Sequence, residues 1–276
     1  MKEFLLTDSD FKEVAHLVYN ACGIVLGEHK REMVYSRLAR RIRERKLTNF
    51  SSYLDYLKNH KDQEFDAFIN AITTNLTSFF REMHHFEFIK DQLIPTLLKT
   101  NKQTKRVRIW SAGCSTGEEP YSLAMTLQGA FPNDWDVKIL ATDLDSNVLA
   151  KAQSGIYTAA NVNGLDDALL KRWFLTSKDG QSYKVKPKLQ QCISFKRLNL
   201  LQDWPMKGPF DLILCRNVVI YFDKDTKDQH FNPYADIHND QGYLFLGHSE
   251  TMGKEHVLFK NLGKTMYQKV AHAHAI

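Results

Sequence analysis

Long apolar runs are absent from this sequence of 276 residues. No segment approaches the roughly 20 consecutive apolar residues that a membrane-spanning helix needs. The start of the chain, MKEFLLTDSD, also lacks the apolar region and the cleavage pattern of a signal peptide. We therefore expect no targeting segment and no membrane insertion.

Cysteine is scarce and never forms a CxxC pair. This spacing favours reduced thiols in a cytoplasmic protein. The 4 cysteines are Cys22, Cys114, Cys192 and Cys215. Histidines cluster as His84-His85 and His272-Ala-His274, but neither cluster has cysteine or carboxylate ligands at a spacing that suits a metal ion. We expect surface histidines and no metal site.

The composition is that of an ordinary globular protein, with 43% hydrophobic and 25% charged residues. The length allows one large domain or two unequal ones, and the sequence contains neither internal repeats nor low-complexity tracts. Positive charge is in mild excess, with a formal net charge of +5. Its distribution along the chain is more informative than its size.

Residues 1 to about 75 have the periodicity of helices. Val34, Leu38 and Ile42 recur at four-residue spacing and predict the apolar stripe of one helix. Five arginines flank this stripe: Arg37, Arg40, Arg41, Arg43 and Arg45. Such a basic face is either a solvated surface or a docking site for an acidic partner. Nucleic acid is less favoured, because the face has no interleaved aromatic residues.

From about Arg106, strands alternate with helices, which favours a mainly parallel sheet. The strand candidates are 108–111, 137–142, 193–198, Phe210–Cys215 and 243–247. The segment VLFKNLGKTMYQKV predicts an antiparallel hairpin that turns at residues 261–263. Between about 156 and 192, an amphipathic helix and a polar turn at 177–180 predict a small insertion.

The stretch RVRIWSAGCSTGEEPYSLA predicts a strand, a tight turn and the start of a helix. Gly113 and Gly117 bracket the turn, where the backbone must pass close to another group. Pro120 suits the first turn of a helix. In open α/β sheets, nucleotide-like ligands bind at such a turn. Glu118 and Glu119 would repel a phosphate there and attract a cationic ligand.

Polar residues follow two further predicted strands. Asp143 ends the second strand, where an acidic side chain binds ribose hydroxyls in nucleotide-binding folds. It is alternatively a helix N-cap, a role that also suits Asp145. Arg216 and Asn217 follow the strand Phe210–Cys215 and should emerge at the same sheet edge. Tyr221 comes shortly after and is either a site residue or a core tyrosine.

A competing motif is the formal match of Gly113-Cys-Ser115-Thr-Gly117 to G-x-S-x-G, the nucleophile elbow of α/β-hydrolases. His248, preceded by Asp211 or Asp223, completes the expected order of a catalytic triad. Two glutamates beside the turn disfavour this interpretation, because an oxyanion hole needs hydrogen-bond donors.

Five motifs, in order along the chain, resemble the chemotaxis-receptor methyltransferases of the CheR type. They are TTNLTSFFRE, RIWSAGCSTGEEPYSLA, ATDLDSNVLAKAQSGIY, FDLILCRNVVIYFDK and LGHSE. The resemblance runs from about residue 11 to residue 267. It implies a class I methyltransferase, Rossmann-like α/β fold: a mainly parallel twisted sheet, an N-terminal all-α domain and a small β insertion.

The same resemblance implies transfer of a methyl group from S-adenosylmethionine to glutamate side chains of chemoreceptor cytoplasmic helices. The products are methyl esters and S-adenosylhomocysteine. It also implies a helical receptor-docking domain at 1–75 and a cofactor-binding methyltransferase domain at 76–276, with the insertion at about 156–192. In this scheme the arginines of the first domain would dock the acidic receptor helices.

Residue roles follow where the motifs coincide. The resemblance implies that the following residues bind the cofactor: Asn75, Thr77, Arg81, Gly113, Glu119, Asp143, Asn199, Leu200, Arg216 and Asn217. It places Arg216 and Tyr221 near the reactive end of the cofactor. A substrate glutamate is already ionised near neutral pH and needs no general base. Arg81 or Arg216 would hold one carboxylate oxygen, and Tyr221 would orient the other.

Two segments depart from the family pattern. After IYFDK, Pro233 and a sparse apolar pattern weaken the long basic helix that relatives have there. The turn TSKDGQS is short and has one glycine, so we do not expect it to hold a receptor's C-terminal peptide. Other interpretations of the same fold are a methyltransferase for RNA or a small molecule, and a non-catalytic module that binds the cofactor.

Overall fold

The computed structural model describes residues 2–223, 226, 231–252 and 257–270. The chain divides into two compact units. The first comprises Met1–Thr74 and Tyr221–Thr226, and the second comprises Asn75–Ile220 and Lys227–Ile276. Within the described residues, no helix combines the length and hydrophobicity that crossing a bilayer requires.

The first unit is built from helices. Its four α-helices are α1 Asp8–Cys22, α2 Arg31–Glu44, α3 Phe50–Asn59 and α4 Lys61–Ile72. The arginine-rich helix is α2, and a short 3₁₀ turn at Glu28–Lys30 precedes it. Capping boxes begin two of them: the Thr7 hydroxyl accepts from the Asp10 N–H, and the Asn49 side chain accepts from the Ser52 N–H. The predicted stripe on α2 is buried, as its spacing requires.

The second unit contains a seven-stranded sheet in the order β6-β2-β1-β7-β8-β10-β9. Its strands are β1 Arg106–Ala112, β2 Asp136–Asp143, β6 Ile193–Arg197, β7 Phe210–Cys215, β8 His238–Leu246, β9 Phe259–Gly263 and β10 Met266–Lys269. The first five in spatial order pair in parallel. This confirms the mainly parallel sheet. β7 is buried throughout, which fits the run of apolar residues that follows Asp211 in this strand.

The predicted terminal hairpin is confirmed, but its predicted turn is wrong. Residues 261–263 still belong to β9, and the chain reverses at Lys264 and Thr265, whose φ angles are 51° and 60°. Two consecutive left-handed residues are typical of the tight turns whose twist matches antiparallel strands. The Asn-Leu-Gly sequence misled because the Asn261 side chain instead accepts from the Gly263 N–H inside the strand, at 2.7 Å.

The insertion is a separate three-stranded antiparallel sheet in the order β3-β5-β4. Its strands are β3 Ile156–Thr158, β4 Phe174–Thr176 and β5 Ser182–Val185. The polar turn lies between β4 and β5 as predicted, where the Asp179 carboxylate accepts from the Gln181 N–H at 3.1 Å. The expectation that this turn does not hold a receptor's C-terminal peptide stays a prediction.

Helices connect the strands of the second unit. They are α5 His84–Phe88 with a π-helical turn Ile89–Leu93, α6 Ile94–Thr100, α7 Glu118–Leu127, α8 Ser146–Ser154, α9 Ala159–Val162, α10 Asp167–Trp173, α11 Pro187–Gln190 and α12 Asn232–Ile237; a 3₁₀ turn spans Val219–Tyr221. Pro233 lies in the first turn of α12, where proline is tolerated, so it begins a short helix. Residues 224, 225 and 227–230 of the unusual segment lie outside the described residues.

Candidate active site

The turn after β1 is held against the end of β2. The N–H groups of Gly113 and Cys114 both donate to the Thr142 carbonyl, at 2.8 Å. Gly113 has φ +83°, and a Cβ there would lie 2.4 Å from the Val218 Cγ2 atom. The predicted close approach at this glycine is therefore to a side chain of the loop after β7.

Asp143 ends β2, and two backbone N–H groups hold its carboxylate. Oδ2 accepts from Ser115 at 2.7 Å, and Oδ1 accepts from Asp145 at 3.0 Å. Burial raises the pKa of Asp143 to about 6. The alternative that Asp143 caps a helix is wrong, because Asp145 is the N-cap of α8 and accepts from Asn147 and Val148.

The two glutamates of the turn have different surroundings. Glu118 is buried against its own turn, and its carboxylate accepts from the Thr116 hydroxyl at 2.6 Å. Glu119 accepts from the Ser111 hydroxyl at 2.7 Å. Burial raises the pKa of Glu119, and the nearby Arg216 acts in the opposite direction. Glu119 is therefore the glutamate of the turn that pairs with Arg216 at the sheet edge.

Arg216 follows β7 and lies between two carboxylates. Its Nη1 is 3.3 Å from Glu119 Oε2, and its Nη2 is 3.3 Å from Glu82 Oε2. Nη2 also donates to the Arg81 carbonyl. Only 2% of the Arg216 side chain is exposed, yet its Nε and Nη1 have no hydrogen-bond acceptor among the described residues. The Nε–H group thus has unused donor capacity, and Nη1 is held by its ion pair with Glu119.

Asn217 and Val218 form a loop around a buried carboxylate that sequence reasoning left without a role. Glu250 Oε2 accepts from the Asn217 N–H at 2.7 Å and from the Gly247 N–H at 2.6 Å. Its Oε1 accepts from the N–H groups of Val218 and Ile220, at 2.8 and 3.1 Å. Burial raises the pKa of Glu250, while these donors favour the ionised form.

The segment 75–83 is strained. Phe80 and Glu82 have φ angles of 52° and 57°, a conformation that is uncommon for residues other than glycine. Such strain clusters at functional sites. Arg81, between them, donates from Nη1 to the Leu76 carbonyl at 2.8 Å. Thr77, in the same segment, is partly buried.

Asn75 joins this segment to the glycine turn. Its Nδ2 donates to Asp145 Oδ2 at 2.8 Å, and its carbonyl accepts from the Ser115 hydroxyl at 2.8 Å. The segment 75–83 and the ends of β1 and β2 therefore share one hydrogen-bond network. The predicted grouping of Asn75 with Asp143 and the turn agrees with this geometry.

Glu82 is a second residue that the sequence did not reveal as important. Its Oε1 accepts from the His248 N–H at 3.1 Å and lies 2.9 Å from His248 Nδ1. Glu82, His84 and His85 bring potential metal-ligand atoms within 4.8 Å of one another. The Arg216 guanidinium beside Glu82 opposes a bound cation at this place. The expected absence of a metal site stays a prediction.

One histidine prediction is wrong. His85 is fully buried, its Nε2 lies 3.1 Å from the Lys264 carbonyl oxygen, and burial lowers its pKa to about 3. His85 lies on the buried face of α5, which the pair of histidines alone does not indicate. His84 is partly exposed, as expected. His272 and His274 lie outside the described residues.

The remaining predicted site residues divide between the two units. Asn199 and Leu200 follow β6, and the Leu198 N–H donates to the Asp143 carbonyl at 3.0 Å, which brings this loop to the strand end. Tyr221 belongs to the first unit. There its carbonyl accepts from the Val25 N–H at 2.8 Å.

The geometry excludes the hydrolase interpretation. The Ser115 hydroxyl donates to a backbone carbonyl, and His248 contacts Glu82. Asp211 is bound to the Arg108 N–H at the other end of β7, and Asp223 accepts from the Tyr19 hydroxyl. These side chains therefore do not form the hydrogen-bonded serine, histidine and aspartate of a catalytic triad.

The arginines of α2 have unequal surroundings. Arg41 and Arg45 bind the Glu64 carboxylate, which is 0% exposed and also accepts from the Tyr53 hydroxyl. Arg37 donates to the Ile72 and Thr73 carbonyls at the end of α4. These three arginines therefore stabilise the helical unit itself.

Two arginines of α2 are more exposed. The Arg40 side chain is 79% exposed and pairs with Glu44, and the Arg43 side chain is 57% exposed and pairs with Glu3. Exposed pairs of this kind contribute little to stability and exchange readily with other partners.

Comparison with known proteins identifies the family. The description "CheR methyltransferase, SAM binding domain" matches residues 75–268, and "CheR methyltransferase, all-alpha domain" matches residues 9–73. The chain belongs to the CheR methyltransferase family. It is 42% identical over 269 residues to the chemotaxis protein methyltransferase of Escherichia coli, covering 95% of this chain and 91% of the relative. It is 41% identical over 271 residues to chemotaxis protein methyltransferase 2 of Pseudomonas aeruginosa, covering 96% and 95%.

As a CheR methyltransferase, the chain uses S-adenosylmethionine, and the side chains present fit this cofactor. Its sulfonium and ammonium groups are cationic, and Glu119 and Asp143 supply carboxylates at the sheet edge. Its carboxylate needs hydrogen-bond donors, and the Arg216 Nε–H group has no acceptor among the described residues. The charged side chains at this edge therefore include both signs, as the cofactor does.

Proposed function

We propose that this CheR methyltransferase forms methyl esters on glutamate side chains of chemoreceptor cytoplasmic helices, and that it acts in the cytoplasm. The observation that carries the proposal is the buried group of Glu119, Arg216 and Glu82 beside Asp143, at the carboxyl ends of β1, β2 and β7. It offers negative and positive side chains for a methyl donor that carries both signs of charge.

A glutamate substrate does not require a general base. When bound, S-adenosylmethionine supplies an electrophilic methyl group: the glutamate oxygen forms the new C–O bond while the C–S bond breaks, and sulfur keeps the electron pair. The carboxylate is already ionised near neutral pH, so no proton needs to be removed. Alignment of the reactants can contribute about 7–11 kcal/mol to the lowering of the barrier.

Of the two arginines considered for the substrate, Arg81 is the better one. Arg216 is buried between two carboxylates, which neutralise its charge. Arg81 lies next to it and is partly exposed. We propose that Arg81 orients one oxygen of the substrate carboxylate. A single contact is preferable to a strong clamp, because the carboxylate loses its charge as the ester forms. Tyr221 stays a sequence-based candidate for orienting the other oxygen.

We propose that the helical unit docks the receptor. Methylated receptor segments are rich in glutamate, and Arg40 and Arg43 are the exposed cations of α2. Their attraction to an acidic helix would act mainly on the rate of encounter. In this proposal residues 1–75 form the receptor-docking domain, and residues 76–276 form the catalytic domain.

The test is methyl transfer from labelled S-adenosylmethionine to a receptor cytoplasmic fragment. We expect label on the fragment that is released as methanol by mild alkali, as is typical of a carboxyl ester. A fragment whose acceptor glutamates are changed to alanine is the matched substrate control. The Asp143→Ala enzyme is the matched catalyst control, with label incorporation reduced in proportion to its loss of cofactor binding.

Three outcomes would contradict the proposal. Alkali-stable label on the fragment would indicate another acceptor atom. Label on RNA or on a small molecule, with none on receptor fragments, would favour the alternative substrates. Cofactor binding without transfer to any receptor fragment would favour a non-catalytic module.

A further inference from the structure

The turn at 247–250, directly after β8, contacts two separate segments of the site. These residues are Gly247, His248, Ser249 and Glu250, and the Glu250 N–H closes the turn on the Gly247 carbonyl at 2.9 Å. The turn makes up the last four residues of LGHSE, a motif to which the proposed function gave no role. The His248 side chain contacts Glu82, and the Glu250 side chain binds the loop after β7.

Glu250 holds the loop after β7. Its carboxylate accepts four backbone N–H groups, three of them from the loop that carries Arg216 and Asn217. Asn217 has φ 58°, a left-handed conformation that the two neighbouring hydrogen bonds keep in place. Converging N–H groups of this kind bind an anion, and here the anion is internal.

His248 holds the opposite segment. Both its N–H and its ring nitrogen contact Glu82 Oε1, and Glu82 lies in the strained segment 75–83. Glu82 in turn contacts Arg216 through its other oxygen. The turn therefore reaches Arg216 from both sides, by way of Glu82 and by way of the loop that follows Arg216.

Gly247 fits tightly into this arrangement. A Cβ at this position would lie 2.5 Å from Asn217 Nδ2 and 2.8 Å from the Asn217 backbone nitrogen. The backbone of the turn thus packs directly on Asn217, with no space for a side chain. Small displacements of the turn would be transmitted to that residue.

We propose that the 247–250 turn is a positioning element that fixes Arg216, Asn217 and Glu82 relative to one another for cofactor binding. It acts through Glu250 and His248, neither of which needs to touch the cofactor or the methyl acceptor. The inference rests on the proposed assignment of Arg216 and Asn217 to the site, but not on the identity of the acceptor.

A role in stability alone is the competing explanation, and Asp211 provides a matched control. Asp211 is also a buried carboxylate that accepts a backbone N–H, from Arg108 at 2.7 Å, and it also accepts from Asn101. It lies near the start of β7, whereas Glu250 binds the loop at the end of that strand. Asp211→Asn and Glu250→Gln each change a buried carboxylate to an amide. The first carboxylate lies near the start of β7, and the second binds the loop that follows the end of β7.

The experiment is calorimetric titration of the full chain with S-adenosylhomocysteine, which requires no methyl acceptor. Glu250→Ala should weaken affinity by about tenfold or more, equivalent to about 1.4 kcal/mol, with unchanged stoichiometry. Glu250→Gln, which keeps the volume and one acceptor, should weaken it less. Asp211→Asn should lower the denaturation midpoint while affinity stays within about twofold, because it is remote from the site.

His248 gives an independent measurement. His248→Ala should weaken affinity by about threefold, because the backbone N–H keeps one bond to Glu82. His248→Asn, whose amide nitrogen can replace Nδ1, should restore it.

The stoichiometry separates positioning from folding. If Glu250→Gln only lowers the number of binding-competent molecules, as Asp211→Asn would, and leaves their affinity unchanged, the turn supports the fold alone and the proposal is wrong. If Glu250→Ala does not fold, the Gln variant and the His248 pair decide the question. Failure of wild-type protein to methylate receptor fragments would refute the proposed acceptor and leave these binding results unaffected.

Discussion

Glu119 and Arg216 form a buried ion pair at the sheet edge, with Oε2 3.3 Å from Nη1 and side chains that are 13% and 2% exposed. Arg216→Met would leave Glu119 and Glu82 buried without their cation. Loss of one partner of a buried pair typically costs about 3–5 kcal/mol of unfolding free energy. Urea denaturation should show this loss, and Arg216→Met/Glu119→Gln should recover part of it.

The control for this prediction is Arg106→Met, at the exposed start of β1. A surface substitution of this kind should change the unfolding free energy by no more than about 0.5 kcal/mol. Equal denaturation midpoints for the two methionine variants would show that the buried pair adds nothing to stability.

Cofactor affinity should depend on pH through Asp143. Burial raises the pKa of Asp143 to about 6, and ribose hydroxyls and a sulfonium favour the ionised carboxylate. Affinity should therefore be constant above the folded-state pKa and fall as the pH drops below it. Titration calorimetry with S-adenosylhomocysteine across this range measures the effect. Asp143→Asn should bind more weakly at neutral pH and flatten the profile; an unchanged profile would remove Asp143 from the site.

The raised pKa of Asp143 gives folding stability a pH dependence opposite in direction to that of cofactor affinity. A carboxyl whose folded-state pKa is raised stabilises the fold relative to the unfolded chain at low pH, where it is protonated in both states. This contribution is lost as the pH rises through the folded pKa. Cofactor binding, which favours the charged form, should therefore stabilise the protein most above that pKa.

The arginines of α2 should separate into two functional classes. Arg40→Ala/Arg43→Ala should raise KM for an acidic receptor fragment at low ionic strength, with an effect that disappears as salt screens the charges. Its unfolding free energy should change by about 0.5 kcal/mol or less. Steady-state methylation at several salt concentrations provides the measurement.

Arg41→Ala is the matched control. It removes one of the two cations that bind the fully buried Glu64, so it should destabilise the helical unit by more than the Arg40/Arg43 variant does. An Arg40/Arg43 variant with unchanged KM at low salt would show that the exposed cations do not guide the substrate.

Gly113→Ala should be far more damaging than Gly180→Ala. Both glycines have positive φ, +83° and +70°, so each substitution incurs the left-handed backbone cost of about 1–2 kcal/mol. At Gly113 the new Cβ also meets Val218, whereas at Gly180 nothing lies within 4 Å. Overpacking should add about 1–3 kcal/mol and weaken cofactor binding. Thermal denaturation and calorimetry test this, and Val218→Ala should rescue Gly113→Ala if the contact is the cause.

The sequence predicted the parts of the fold that depend on local patterns. Short runs rich in β-branched and other apolar residues located β1, β2, β6 and β7 to within two residues at each end. Alternation at the end of β2 correctly assigned the helix cap to Asp145. Both inferences need only neighbouring residues.

Contacts between distant positions were not predictable in the same way. Glu82 and His248 are separated by 166 positions, and Asn217 and Glu250 by 33. Nothing in the local pattern distinguishes these glutamates from surface residues. The motifs that contain them were visible, but only the folded chain shows what they bind. The buried state of His85 likewise depends on the way α5 packs.

Both outer strands of the seven-stranded sheet carry cationic side chains. β6 ends with Lys196 and Arg197, and β9 exposes Lys260. Lysine and arginine on an outer strand repel a second copy that approaches with its own unpaired backbone groups. The charges on these two strands therefore disfavour edge-to-edge pairing of one sheet with another.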